Sequence, residues 1–309
     1  MLQTANRLYI TQTKKVFYCN IKIKIPASFD ECILEDGFAL PENIDSLYNS
    51  YQPESYFSKI NQNAGNWVEV DHTTIDLLRI LISVSEITNG AYDITAMPLI
   101  QLWGFYKNTQ STIPSASKIE TTLKSVDYRK IVIAGNNVKI DEGQQIITGS
   151  FIKAFAVDML VKQLKSNGVS DAIINAGGST ICAINNNEHS YWNINIPDPY
   201  NKEEKLARIA LSNACFSLSA KAHNYITING KEYGHIINAV TGYPSANIQS
   251  GIKCTSAFLS DVLSTAIFAV DENEYIEVVQ QLRQKFEFQS YLIGESGAIK
   301  DIQFNLLMK

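Results

Sequence analysis

The sequence predicts an α+β fold of mixed sheets with packed helices, built as one module over residues 1–309. Three observations carry that expectation. Helical and strand-like segments alternate along the chain without an internal repeat. Two strand-like runs flank Asn229-Gly230, the favoured pair for a type I′ hairpin turn. The stretch Phe258–Ala269 is apolar on most sides, as in a helix buried in a core.

That stretch also carries three oxygen-bearing residues. Asp261, Ser264 and Thr265 stand at i, i+3 and i+4 and share one helical face. A carboxylate and hydroxyls on a rigid face suit a hard cation such as Mg²⁺, which keeps waters and completes its shell from phosphates. Taken alone, the same residues more readily fit a buried helix capped by Asp261, with its hydroxyls bonded back to the backbone.

Composition narrows the partners. A net charge of −5 and the lack of a Lys/Arg-rich block argue against nucleic acid. Five dispersed cysteines argue against a disulfide framework and have no metal-type spacing. The histidines are dispersed as well, which argues against a zinc site. No run is long and apolar enough to span a bilayer. The first fifteen residues hold no apolar signal core, and Cys19 follows Val16-Phe17-Tyr18 rather than the small residue of a lipoprotein cleavage site. The expected location is cytoplasmic, or periplasmic if an export signal has been removed.

Along the chain, residues 15–25 alternate as a strand, and 43–50 and 73–88 have helical stripes. Gly90 is expected to end the second helix, and Pro98 to break regular structure. The irregular backbone between them carries Tyr92, Asp93 and Thr95, and is either a site or a plain loop. Residues 107–118 read as a surface loop, and 129–134 and 137–141 as strands around Gly135-Asn136. A helix follows over 151–166. Its start, Thr148-Gly149-Ser150, can offer backbone N–H groups to phosphate. Lys153 opposes the dipole in the first turn; it is either functional or merely solvated.

A strand at 172–175 runs into Gly177-Gly178, where paired glycines permit a tight turn or the close approach of a ligand. Another strand covers 192–196. His235 ends the second strand of the Asn-Gly hairpin, as a structural or a functional histidine. A helix over 274–286 and a strand at 289–293 complete the pattern.

Several of these stretches, in this order, resemble the ApbE family of FAD:protein FMN transferases. They are Glu54-Ser55…Ile60-Asn61, Thr88-Asn89-Gly90-Ala91-Tyr92-Asp93 with Leu102-Trp103-Gly104-Phe105, and Lys153…Ala156-Val157-Asp158. Asn175-Ala176-Gly177-Gly178, His235-Ile236-Ile237, Thr241-Gly242-Tyr243-Pro244 and Asp261…Thr265 follow. The resemblance implies Mg²⁺-dependent transfer of FMN from FAD to a Ser or Thr hydroxyl of a target protein, with release of AMP. It places FAD at Tyr51, Ala91, Tyr92, Asp93, Lys153 and Ile237. It places Mg²⁺ at Asp261 and Thr265, with Ser264 nearby and the backbone carbonyl of Ser150. His235 matches the position associated with catalysis.

The chain departs from the family pattern at several points. Ile147 replaces an acid that contacts FAD, Ser179 replaces the Asp of G-G-D, and Ala220 the Gly of S-G. Asn238-Ala239-Val240 replaces D-P-R, and the N-terminal M-G-T is not found. The alternative expectation is therefore a catalytically impaired relative acting as a flavin-nucleotide-binding or interaction module.

Overall fold

The computed structural model describes residues 8–105, 112–201, 203–221 and 224–304. The chain opens with an antiparallel pair, β1 (Tyr9–Val16) and β2 (Cys19–Pro26). In β2 the period of two is clean: Ile21, Ile23 and Ile25 are buried between exposed or half-exposed lysines. Helices α1 (Cys32–Tyr48) and α2 (Tyr56–Gln62) follow. Ser55 caps α2 by accepting from the Ser58 N–H.

A short strand β3 (Val68–Glu69) leads to α3 (His72–Ile87), which Asp71 caps through the Thr74 N–H. Asn89 and Gly90, both at positive φ, then turn the chain. Next come α4 (Met97–Leu102), α5 (Ala116–Leu123), β4 (Val132–Ala134) and β5 (Asn137–Lys139). Strands β3, β5 and β4 form a small sheet in that order.

Helix α6 (Ile152–Ser166) precedes β6 (Ala172–Ala176), β7 (Thr180–Ile184), β8 (Trp192–Pro197), β9 (Lys205–Leu211) and β10 (Cys215–Ala220). Two hairpins follow, β11 (Tyr225–Ile228) with β12 (Lys231–Gly234), and β13 (Ile237–Asn238) with β14 (Tyr243–Pro244). Strand β15 (Gln249–Cys254), helices α7 (Ala257–Ala269) and α8 (Tyr275–Leu282), and strands β16 (Gln289–Ile293) and β17 (Ile299–Ile302) complete the chain.

The main sheet has eight strands in the order β1-β2-β6-β7-β10-β15-β16-β17, each paired antiparallel to its neighbour. Strand β10 is buried along its whole length because both of its faces are covered. Phe216 and Leu218 pack in a cluster with Ile194 and Ile196 of β8. The opposite face meets α7 through hydroxyls rather than hydrocarbon. Ser217 pairs with Ser260 at 2.7 Å, Ser219 with Ser264 at 3.0 Å, and Ser250 of β15 donates to the Ser264 carbonyl at 2.7 Å. Small side chains here let the helix sit close to the sheet while every hydroxyl finds a partner.

The start of α7 is fixed from α6. Ser256 is its N-cap and accepts from the Leu259 N–H. Asp158 accepts from the Ala257 and Phe258 N–H groups at 2.6 and 3.0 Å and from the Ser256 hydroxyl at 2.6 Å. The expected capping role of Asp261 is therefore filled by other residues, and Asp261 lies inside the helix.

Several expectations need correction. Residues 15–25 form two strands joined by a turn at Phe17-Tyr18. Pro98 opens α4 rather than breaking structure, because a proline fits the first turn of a helix. The expected loop at 107–118 lies partly outside the described residues, and its end forms the start of α5, capped by Ser115. The Asn229-Gly230 hairpin forms as expected, with φ of 51° and 77°, but as a sheet separate from that of β6. Cys182 and Cys215, directly opposite on β7 and β10, form a disulfide. Dispersion in sequence hid that pair, because the sheet brings distant strands side by side.

Asp158 holds the start of α7 through three hydrogen bonds. Asp158→Ala removes three hydrogen bonds to a carboxylate and leaves buried donors unpaired. It should cost about 2–4 kcal/mol in urea unfolding. Asp158→Asn, which keeps acceptor oxygen on the side chain, should cost less; equal stability of all three proteins would refute this account.

Candidate active site

Helix α7, the β1–β2 turn, the loop after α3, the start of α6 and the segment after β12 converge on one cavity of about 480 Å³. That volume is in the range of small-molecule sites. Asp261 and Thr265 line it from α7, and Ser150 and Lys153 from the start of α6. Tyr92 and Asp93 contribute from the loop, and His235 and Ile237 from the segment after β12.

Asp261 sets the electrostatics. Its side chain is almost wholly buried, and its Oδ2 has no hydrogen-bond partner. The nearest cation is the Lys153 ammonium, with Nζ 3.9 Å from Oδ2. Burial pushes the Asp261 pKa up to about 6, against the opposing pull of Lys153. Lys153 itself donates to the Ser179 hydroxyl at 2.5 Å. Lys153 is thus an ordered group of the site and not a solvated surface lysine.

The three oxygens expected on one face of α7 divide. Thr265 faces the cavity, with Oγ1 3.5 Å from the Ser219 Oγ. Ser264 is outside the cavity lining, fully buried, and bonded to Ser219 and to the Asp261 carbonyl. The helix turns about 100° per residue, so Asp261 and Thr265 are about 40° apart, whereas Ser264 lies about 60° to the other side of Asp261.

The loop residues divide too. Tyr92 meets the Ser150 hydroxyl at 3.0 Å, and burial raises the pKa of its phenol. Asp93 spends its carboxylate on the loop: one oxygen accepts from the Thr95 N–H and hydroxyl, the other from the Tyr128 N–H. Ala91 is buried beneath the lining, and its carbonyl accepts from the Ala239 N–H. Tyr51 lies outside the lining and is 41% exposed, with its hydroxyl directed at the Met97 sulfur.

His235 has a defined tautomer when neutral. Its Nδ1 is 3.0 Å from the Asn224 carbonyl oxygen, which can only accept. The proton therefore sits on Nδ1 and the lone pair on Nε2.

Sequence reasoning did not single out Tyr18, Cys19 or Ser219 as site residues, yet all three line the cavity. Nothing in the local pattern marks Tyr18, because it reads as a strand residue. Ser219 precedes the position where the family's S-G motif changes, which is a usable signal.

The donor set fits a hard cation. Asp261 Oδ2 is an orphaned buried carboxylate oxygen, and the Thr265 hydroxyl lines the same cavity. No group of three or more His, Cys, Asp or Glu able to hold a metal occurs among the described residues. One carboxylate with neutral oxygens matches Mg²⁺, which takes the rest of its shell from water and phosphate.

These features describe an α+β protein whose cavity is lined by Asp261 and Thr265 of α7 and by Ser150 and Lys153 at the start of α6. The ApbE family model matches residues 17–289, and the chain belongs to the ApbE family. An FAD:protein FMN transferase of Haemophilus influenzae is 26% identical over 259 residues, covering 80% of this chain and 75% of the relative. The FAD:protein FMN transferase of Treponema pallidum is 25% identical, covering 82% and 75%. The crystal structure of the ApbE protein of Thermotoga maritima superposes with a TM-score of 0.86 at 25% identity, over 96% of this chain and 97% of the other. The Pseudomonas stutzeri flavinyl transferase ApbE shares the fold, with a TM-score of 0.82 at 20% identity over 96% and 95%.

The raised pKa of Asp261 has a stability consequence. The folded value of about 6 exceeds the ordinary 3.8, so the folded state binds the extra proton between them. Stability from this group is complete below about pH 4 and is lost as pH rises through about 6. In the metal-free protein, Asp261→Asn should therefore gain about 1–3 kcal/mol at pH 8 and little at pH 4. Thermal melts at both pH values test it; a variant less stable than the parent at pH 8 overturns it.

Proposed function

We propose that this protein transfers FMN from FAD to a Ser or Thr hydroxyl of a target protein, with Mg²⁺, and releases AMP. The observation that carries the reading is the buried, unpartnered Asp261 oxygen facing a cavity beside Lys153 and Thr265. The names of the relatives support it.

Asp261, the Thr265 hydroxyl and the Ser150 carbonyl would hold the cation. When bound, Mg²⁺ supplies charge neutralisation to the diphosphate. The Lys153 ammonium adds a second positive charge at the same end of the cavity. The Gly177-Gly178 turn, where both residues adopt positive φ, allows close approach of the phosphates. His235 accepts the proton of the attacking hydroxyl at Nε2, with Nδ1–H anchored on the Asn224 carbonyl. The hydroxyl oxygen bonds to the FMN phosphorus, the bond from that phosphorus to the bridging oxygen breaks, and AMP leaves with the bridging oxygen. Ile237 and Ile147 line the cavity beside Ile94 and Ile100 and offer an apolar seat for a ring.

A second reading is favoured by Ile147. Where the family has an acid, this side chain is 7% exposed and packed with Ile100, Ile226 and Ile237. A chain that has lost that contact can bind a flavin nucleotide without transfer. AMP release in the presence of FAD, Mg²⁺ and a flavinylatable acceptor separates the two; no AMP with any acceptor leaves the binding role.

His235→Ala should slow transfer by about 10²–10⁴-fold, with FAD affinity preserved. Unchanged transfer would remove His235 from the mechanism.

For location, the Cys182–Cys215 bond supports the exported alternative, since buried disulfides persist in oxidising compartments. Denatured, unreduced protein should react with a thiol reagent at the three remaining cysteines, and at all five after reduction. Five reactive thiols in protein purified from its native compartment without reductant would count against export.

A further inference from the structure

The turn between β1 and β2 contains only Phe17 and Tyr18, because Val16 and Cys19 are already paired. Both turn residues are left-handed, with φ of 53° and 59°. A two-residue turn of this kind favours Asn or Gly, and a bulky side chain is disfavoured there. Phe17 has a packing reason, since it meets both large core clusters. Tyr18 has none of that kind: it is 76% exposed, yet it lines the cavity.

The turn is held firmly in place. The Gly177 N–H donates to the Asn20 carbonyl at 2.9 Å, and a Cβ on Gly177 would come within 3.1 Å of the Cys19 Cβ. The tip is thus docked on the Gly177-Gly178 turn, and Ser179 beyond it holds Lys153. A disfavoured conformation that keeps an aromatic ring at the rim of a cavity, without packing gain, is a feature of ligand contact.

FAD has two ring systems joined by the diphosphate. In the proposed reaction the flavin half ends on a protein, which cannot enter the cavity. The acceptor hydroxyl attacks the FMN phosphorus and the flavin then leaves joined to the acceptor, which favours the flavin half toward the mouth and the adenosine half in the enclosed apolar part. Tyr18, by its exposure, is at the mouth.

We propose that Tyr18 stacks on the isoalloxazine ring of bound FAD and fixes the flavin half for attack; the proposal rests on the transferase reading above. Offset stacking of a tyrosine on a planar ring contributes both contact area and orientation. The ring, not the hydroxyl, carries the contact, so phenylalanine should serve in its place.

The test is FAD titration with Mg²⁺, followed by flavin emission, with ADP as a competitor that lacks the flavin. Tyr18→Ala should weaken FAD by about tenfold and leave ADP affinity unchanged. The emission of bound flavin, quenched by the stacked phenol, should rise in the variant. Tyr18→Phe should keep FAD affinity. Tyr18→Gly should lose FAD affinity like the alanine variant while raising the melting temperature, because glycine relieves the turn. That opposite movement of stability and binding is one that a merely structural Tyr18 would not produce. Equal FAD affinity and emission in parent and alanine variant would overturn the proposal alone, provided the parent transfers FMN. Equal losses of FAD and ADP would overturn it too, since the contact would then not be with the flavin. A parent that binds no FAD removes the transferase reading together with this one.

Discussion

A carboxylate oxygen buried without a hydrogen bond is the constraint on which this structure turns. Asp261 Oδ2 carries a desolvation cost that the Lys153 ammonium, 3.9 Å away, only partly offsets. Such a group persists only where its surroundings leave it no alternative. Its backbone lies in the interior of α7, so local unwinding cannot release it. Asp158 and Ser256 pin the start of that helix, and the serine pairs along β10 and β15 fix its height above the sheet. The fold holds the charge in a place where it favours protonation, or a cation. Binding chemistry and the cost in stability are two consequences of one burial.

Legibility of the fold followed the range of the interaction concerned. Helices α3, α6 and α8 and the β11–β12 hairpin were readable, because hydrophobic period and an Asn-Gly pair are local signals. The Phe17-Tyr18 turn was not, because neither residue is a turn former; the ladder between β1 and β2 imposes the conformation. Strands β7, β10 and β15 were missed for a related reason. They are interior strands covered on both faces, so their burial lacks the alternation that marks a half-exposed strand. The Cys182–Cys215 bond depends on β7 and β10 being neighbours, a fact of topology and not of spacing.

The site was legible in its residue types more than in their orientation. The spacing of Asp261, Ser264 and Thr265 placed three oxygen-bearing residues toward one side of a helix. Only packing decides that Ser264 turns to the sheet and Thr265 to the cavity. Asp93 lines the cavity but its carboxylate is taken up by Thr95 and Tyr128, whereas Ala91 lies beneath the lining and Tyr51 outside it.

The departures from the family pattern change charge more than shape. Asn238 still makes the turn expected of an acid, its side-chain oxygen accepting from the Val240 and Thr241 N–H groups. Ser179 still accepts from Lys153, but as a neutral partner, so the ammonium retains its full charge toward Asp261 and the cavity. Ile147 converts a hydrogen-bonding wall into apolar surface continuous with Ile100 and Ile237. Each exchange removes a carboxylate from the family pattern, and two of the three positions, Ile147 and Ser179, line the cavity. A wall with fewer carboxylates offers fewer hydrogen-bond acceptors, repels an anion less and gives a ring more apolar surface. These terms oppose one another, each being of the order of a single hydrogen bond, about 1 kcal/mol. The cavity therefore presents apolar surface from Ile147, Ile100 and Ile237 together with the Lys153–Asp261 charge pair, and carries fewer carboxylates than the family pattern.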